Sequence, residues 1–202
     1  MNDDVLRDFA SGTIESTLKY IGNFFAEIVA IQDIFLLVIV PTVGLLISAT
    51  AVVDVVKMKN PRYAQKVSPG SVATRMVVGP VTILLTSFML QVNESVFGGD
   101  RIDSKVPTAM TYSGMGSNGD PMAGVLLAIT GFLVFVGWVT ALRAMMAFAR
   151  CGNPQQDGYA LAKAGGARLV AAVFLTMFQF FMDDMFAAFT GNANSFSSKL
   201  NL

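Results

Sequence analysis

The sequence predicts an all-α polytopic membrane protein: four transmembrane helices, arranged as two tandem hairpins in the same orientation, preceded by an amphipathic helix. Three observations predict it. Hydrophobic residues fill 53% of the 202 positions and charged residues only 14%, where soluble domains carry about 25% charged residues. Four apolar stretches reach the roughly twenty residues that a helix needs to cross a bilayer. The chain also matches itself at a shift of 93 positions, the distance from Asn60 to Asn153.

The elements follow in order. Residues 1–33 carry Val5, Phe9, Ile14, Leu18, Ile21, Phe25 and Ile28 at helical spacing, with Arg7, Asp8, Glu15, Lys19 and Glu27 opposite. That stripe reads as a helix lying on the membrane or covering a bundle. The opening "MNDDVLRDFASGT" is acidic where a signal peptide would be basic, so the expectation is that the spans themselves direct insertion. A first hairpin occupies 34–98, with spans near 34–56 and 76–97; Pro41 in the first span is tolerable with a kink. Residues 99–122, rich in Gly and Ser, read as an external loop. A second hairpin occupies 123–191, with spans near 123–148 and 169–189, and 192–202 form a tail.

Charge placement orients the hairpins. The first short connection holds Lys57, Lys59, Arg62, Lys66 and Arg75 with no acid, and the second holds Arg150, Lys163 and Arg168 against Asp157. Acids dominate the N-terminal segment and the central loop. The positive-inside rule therefore puts the two short loops in the cytoplasm, and the central loop and both termini on the outer side of the membrane.

The repeat aligns Gly44 with Gly137, Ala51 with Ala144, Asn60 with Asn153, Pro61 with Pro154, Arg75 with Arg168, Phe88 with Phe181 and Met89 with Met182, without a gap. Each matched type has a mechanical use. Asn60-Pro61 and Asn153-Pro154 end a helix, because proline lacks an N–H and disfavours a helical residue before it. Gly44 with Ser48, and Gly137 with Ala141, give the small-xxx-small spacing that lets helices approach closely. Arg75 and Arg168 stand where the second helix of each hairpin enters the bilayer, within reach of lipid headgroups. The basic set Lys57, Lys59, Arg62, Lys66, Arg75 and Arg168 is thus the candidate lipid- or anion-facing surface, although an ordinary positive-inside flank needs the same residues.

Catalytic chemistry finds little to work with. The chain has no histidine and one cysteine, Cys151, which removes the commonest general base and leaves no catalytic or metal site to nominate. Asp183 and Asp184 are neighbours, and helical neighbours diverge by about 100°. Asp54, one turn before Lys57, is the most interesting acid, since an ionisable group in a span is a functional candidate; pairing with Lys57 is the plainer outcome. No phosphate-binding loop and no aromatic-basic groove for nucleic acid occurs. The expectation is a non-enzymatic protein without cofactor and without direct sequence-specific nucleic-acid binding.

With the four-span layout and the stretches "SPGSVATRMVVGP" and "LAKAGGARLVAAVF" in view, the chain resembles the IcmC/DotE family of inner-membrane proteins from Dot/Icm type IVB secretion and conjugative transfer systems. The resemblance covers roughly residues 34–189. It implies a structural subunit of an envelope machine that exports protein or DNA, with other apparatus subunits, copies of itself and membrane lipid as partners. Each hairpin is also similar to a conjugative pilin of the VirB2 type, which implies a lumen-facing basic loop, bound phospholipid and an extracellular filament. Such pilins are single hairpins made with a leader, whereas this chain has two. A small transporter or channel, using Asp54, Asp183 or Asp184, is the alternative from a different class.

Overall fold

The computed structural model describes residues 31–60, 67–97 and 121–190, with Tyr20, Phe24 and Glu27 as single positions; the side chains of 97, 121–128, 179, 183, 186 and 190 are outside that set. The expected amphipathic helix, Pro61, Arg62, Lys66, the external loop and the tail therefore lie, wholly or almost wholly, outside the described residues. Every described element is a helix: α1 (Ile31–Met58), α2 (Pro69–Ile83), α3 (Leu85–Phe97), α4 (Pro121–Arg150), α5 (Gly158–Thr176) and α6 (Phe178–Thr190). Three of them, α1, α5 and the Ile129–Arg150 part of α4, are long and apolar enough to cross a membrane. A fourth span follows if α2 and α3 count as one broken helix.

The chain divides into two compact units, one of residues 1–33, 107–135 and 177–202, the other of 34–106 and 136–176. The first buries Gln32, Thr130, Val134 and Met177. The second contains nearly all the candidate functional residues, and its construction can be followed from the sequence.

In α1 the residues Phe35–Ile39 form a π-helical turn, and the Val40 N–H reaches back to the Phe35 carbonyl. Pro41 explains the widening. It has no N–H, and its ring crowds the carbonyl four residues earlier, so the helix loosens by one residue ahead of it. Hydroxyls along the helices return to their own backbone: Thr42 donates to the Val38 carbonyl at 2.6 Å, Ser48 to Gly44 at 3.0 Å and Thr82 to Val78 at 2.7 Å. An apolar environment favours this closure, since no water is present to satisfy a free hydroxyl.

α1 packs along α2. Small residues set the distance: a Cβ on Gly44 would lie 2.6 Å from the Ile83 backbone nitrogen and 2.9 Å from the Gly79 carbonyl oxygen, and Ser48 lies against Gly79. In α4 the segment 136–150 buries Trp138, Ala141, Leu142, Ala144, Met145, Ala147 and Ala149. That set covers most of the helix circumference, as expected of a helix at the centre of a bundle. α5 lies beside it, because a Cβ on Gly137 would meet Leu175 Cβ and the Thr176 nitrogen, each at 3.0 Å.

The second expected span, near 76–97, is broken into two helices. α2 and α3 meet at 87°. Leu84, between them, has φ −96° and ψ 28°, and its N–H bonds the Pro80 carbonyl at 3.1 Å before the ladder restarts with Phe88 N–H on the Leu84 carbonyl at 2.9 Å. A break also separates α5 from α6 at Met177, and there Phe181 N–H bonds the Met177 carbonyl at 3.1 Å. Leu84 and Met177 are 93 positions apart, as are the helix ends Phe97 and Thr190, and the contact pairs Gly44 with Ile83 and Gly137 with Thr176.

Candidate functional site

The most organised polar group in the second unit joins the ends of α1 and α2. Asp54 lies one turn before the end of α1, and Arg75 lies in the second turn of α2. The antiparallel run of the two helices brings them level. Arg75 Nη1 donates to Asp54 Oδ2 at 2.6 Å, and Lys57 Nζ stands 3.8 Å from Oδ1. The side chains of Asp54 and Arg75 are 15% and 24% exposed and that of Lys57 is 49% exposed. The arginine is therefore the principal partner and the lysine a solvent-screened third member.

The Asp54–Lys57 contact follows from i, i+3 spacing on one helix. The stronger Asp54–Arg75 contact does not; its only signal is that the two residues lie nearly equal distances either side of the connecting loop. With both carboxylate oxygens engaged, the group is built to hold two helix ends together.

Beside it is a cavity of about 300 Å³ bordered by Leu46, Ile47 and Thr50 of α1, Arg75 of α2, and Met146 and Arg150 of α4. Two arginines, Arg75 and Arg150, therefore contribute to the lining of an otherwise largely apolar groove. Such a combination suits an amphiphile with an anionic head, because the walls accept hydrocarbon and Arg presents a planar donor fork to phosphate or carboxylate.

The other predicted residues are distributed as follows. Lys59 and Asn60 are exposed where α1 ends, with the Lys59 N–H on the Val56 carbonyl and the Asn60 N–H on Lys57. Asn153 closes the second loop: its Oδ1 accepts the Gln155 N–H at 3.3 Å, and its carbonyl accepts the Gln156 N–H. Pro154 lies exposed in that turn.

Asp157, whose part the sequence reading missed, caps α5, its Oδ1 accepting the N–H groups of Tyr159 and Ala160 at 3.1 and 3.2 Å. An Asp just before a helical run is an N-cap signal that was available. Arg168 is exposed on α5 and forms no salt bridge among the described residues. Its place in the repeat explains why: the position matching Asp54 is Ala147, which is buried. Asp184 is exposed, and the side chain of Asp183 lies outside the described residues. Among the described residues no three His, Cys, Asp or Glu side chains converge as a metal site would require.

Cys151 follows the end of α4, with its Sγ 3.3 Å from the Ala147 carbonyl oxygen. Burial pushes its thiol up, against a smaller lowering by the backbone hydrogen bond. A raised value means less thiolate at neutral pH, and thiolate is the nucleophile. Iodoacetamide at pH 7.5 is therefore expected to label Cys151 several-fold more slowly than free cysteine, with the gap narrowing as pH rises. Equal labelling rates in a mass-spectrometric time course would contradict this.

No protein-family profile, curated protein or solved structure matches the chain.

Proposed function

We propose that the chain is a non-enzymatic structural subunit of a type IVB secretion or conjugative transfer apparatus in the bacterial inner membrane, built as two tandem two-span hairpin repeats. The observation that carries the structural half of this reading is the shared spacing of 93. Helix break, helix end and glycine contact recur at matched positions in α1 to α3 and in α4 to α6. A duplicated hairpin whose apolar α1 surface is largely exposed, with Leu37, Leu45, Val52 and Val56 all outward, suits a protein embedded among lipid and other subunits. The membrane character rests on the helices; the secretion or transfer role rests on the resemblance set out above. An anionic phospholipid at Arg75 and Arg150 fits the same reading, as do copies of the chain and other apparatus subunits as partners.

Deleting the protein is expected to abolish export or transfer, and native electrophoresis of inner membranes is expected to show it above monomer mass. Wild-type transfer without it would end the proposal. The transporter alternative fares worse, because Asp54 is committed to Arg75 and Lys57. An Asp54→Asn variant that lost solute flux yet assembled normally would revive it. Recovery of the chain in sheared extracellular filaments would favour the tandem-pilin version instead.

A further inference from the structure

The 87° bend between α2 and α3 gains its meaning from where it falls along α1. Gly44 lies against the backbone of Ile83, one residue before the bend. It is also close to the middle of the 28-residue apolar helix Ile31–Met58. If α1 crosses the bilayer, the bend sits near the bilayer midplane, and α3 leaves α2 sideways at that depth.

The composition of α3 does not suit that course in lipid. Leu85, Met89 and Asn93 are buried on one face, while Ser87, Gln91 and Ser95 are exposed and Glu94 is half-buried. Polar side chains turned outward at mid-membrane depth are costly unless they meet water or protein. Straightening the helix reduces the conflict by carrying Gln91, Glu94 and Ser95 toward the headgroups. At about 1.5 Å per residue, Gln91 would stand about 10 Å beyond the bend and Glu94 about 15 Å, at the edge of a hydrocarbon core about 30 Å thick. α2 alone, 15 residues, extends only about 22 Å.

Local sequence at the turn does little to hold the bend. Residues 81–87 read "VTILLTS", with no glycine or proline, and Leu84 is the residue whose ψ leaves the helical range. α3 docks on α5 through Asn93, whose Nδ2 donates to Thr176 Oγ1 at 3.4 Å while its buried Oδ1 has no partner. A long bond and an uncompensated acceptor make the polar part of this attachment weak, which leaves the buried Leu85 and Met89 to supply the rest of the docking.

We infer that Leu84 is a hinge and the Asn93–Thr176 contact its latch. In the bilayer α2 and α3 form one straight transmembrane helix, and they fold to the bent form only when Asn93 docks on α5 and water or a polar partner covers the Ser87, Gln91 and Ser95 face. The inference rests on the reading of α1 as a membrane span.

The test places nitroxide labels at Ala73 and Ser95, both exposed, in the full chain carrying Cys151→Ala. The protein is reconstituted in phosphatidylethanolamine–phosphatidylglycerol vesicles. Each label is eleven residues from Leu84, so the backbone separation is about 33 Å when straight and about 23 Å when bent. A separate label at Leu45 reports, by oxygen against nickel-chelate accessibility, whether α1 faces lipid. The expected result is a lipid-facing Leu45 and a main population near 33 Å, with Asn93→Leu removing whatever remains near 23 Å. A population only near 23 Å with Leu45 in lipid overturns the hinge. An unchanged ratio in Asn93→Leu overturns the latch, and a water-exposed Leu45 overturns the membrane reading and the hinge with it.

Discussion

Replacing Arg75 by Gln is expected to destabilise the chain by about 2–4 kcal/mol, measured as thermal unfolding in detergent. Breaking one side of a fully buried ion pair costs about 3–5 kcal/mol, because the remaining charge is left unpaired away from water. The 15% and 24% exposure of the two side chains lowers that cost through solvent screening. Asp54→Asn in the same chain should recover part of the loss, giving a coupling of about 1–3 kcal/mol in a double-mutant cycle. Arg168→Gln is the informative comparison. It removes the matching residue of the second hairpin, which faces outward with Ala147 where Asp54 would be, and should change stability by no more than about 0.5 kcal/mol. Equal losses at the two arginines would mean that the Asp54 contact contributes nothing.

The second large effect concerns the helix seams. Gly44→Ala is expected to cost about 1–3 kcal/mol, the usual range for overpacking, because the atoms in its way are the backbone nitrogen of Ile83 and the carbonyl of Gly79. Backbone in a packed helix cannot rotate aside as a side chain can. Gly137→Ala should cost less, since its nearest neighbour is a Thr176 methyl at 2.9 Å with backbone only at 3.0 Å. Gly166 supplies the opposite sign. A Cβ there meets nothing within 4 Å, so Gly166→Ala should stabilise α5 by about 0.5–1 kcal/mol through helix propensity alone. A loss at Gly166 comparable with that at Gly44 would show that α5 has a further packed face.

Much of this architecture was legible in the sequence because it depends on composition and spacing. Hydropathy marked α1 and α4 but placed the fourth span at 169–189, across the break at Met177, whereas the span-length helix is α5 at Gly158–Thr176; the glycines at 44 and 137 mark where α1 meets α2 and α4 meets α5. The break at Leu84 was not legible. Pro80 is the nearest breaker, yet the chain remains helical for three residues beyond it and turns at a leucine, a good helix former. The choice is made by tertiary docking of Leu85, Met89 and Asn93, which no local propensity encodes. The Asp54–Arg75 pair escaped for a related reason: the two residues are far apart along the chain and meet only once the hairpin register is known. Arg75 and Arg168 look alike as letters, and only the residue facing each of them tells them apart.

The contact distances along the chain also carry information about time. Gly44 meets Ile83 and Gly137 meets Thr176 across the same modest loop, whereas Gly152 approaches Gly70, and Asn93 reaches Thr176, across a sequence separation of about twice that length. Closing short loops is faster than closing long ones, and the first hairpin leaves the ribosome before the second exists. On the proposed reading as two hairpins, each would close on its own before the joints at Gly152 and Asn93 form. A chain assembled in that order exposes Asn93 to its surroundings throughout synthesis, before Thr176 has been translated.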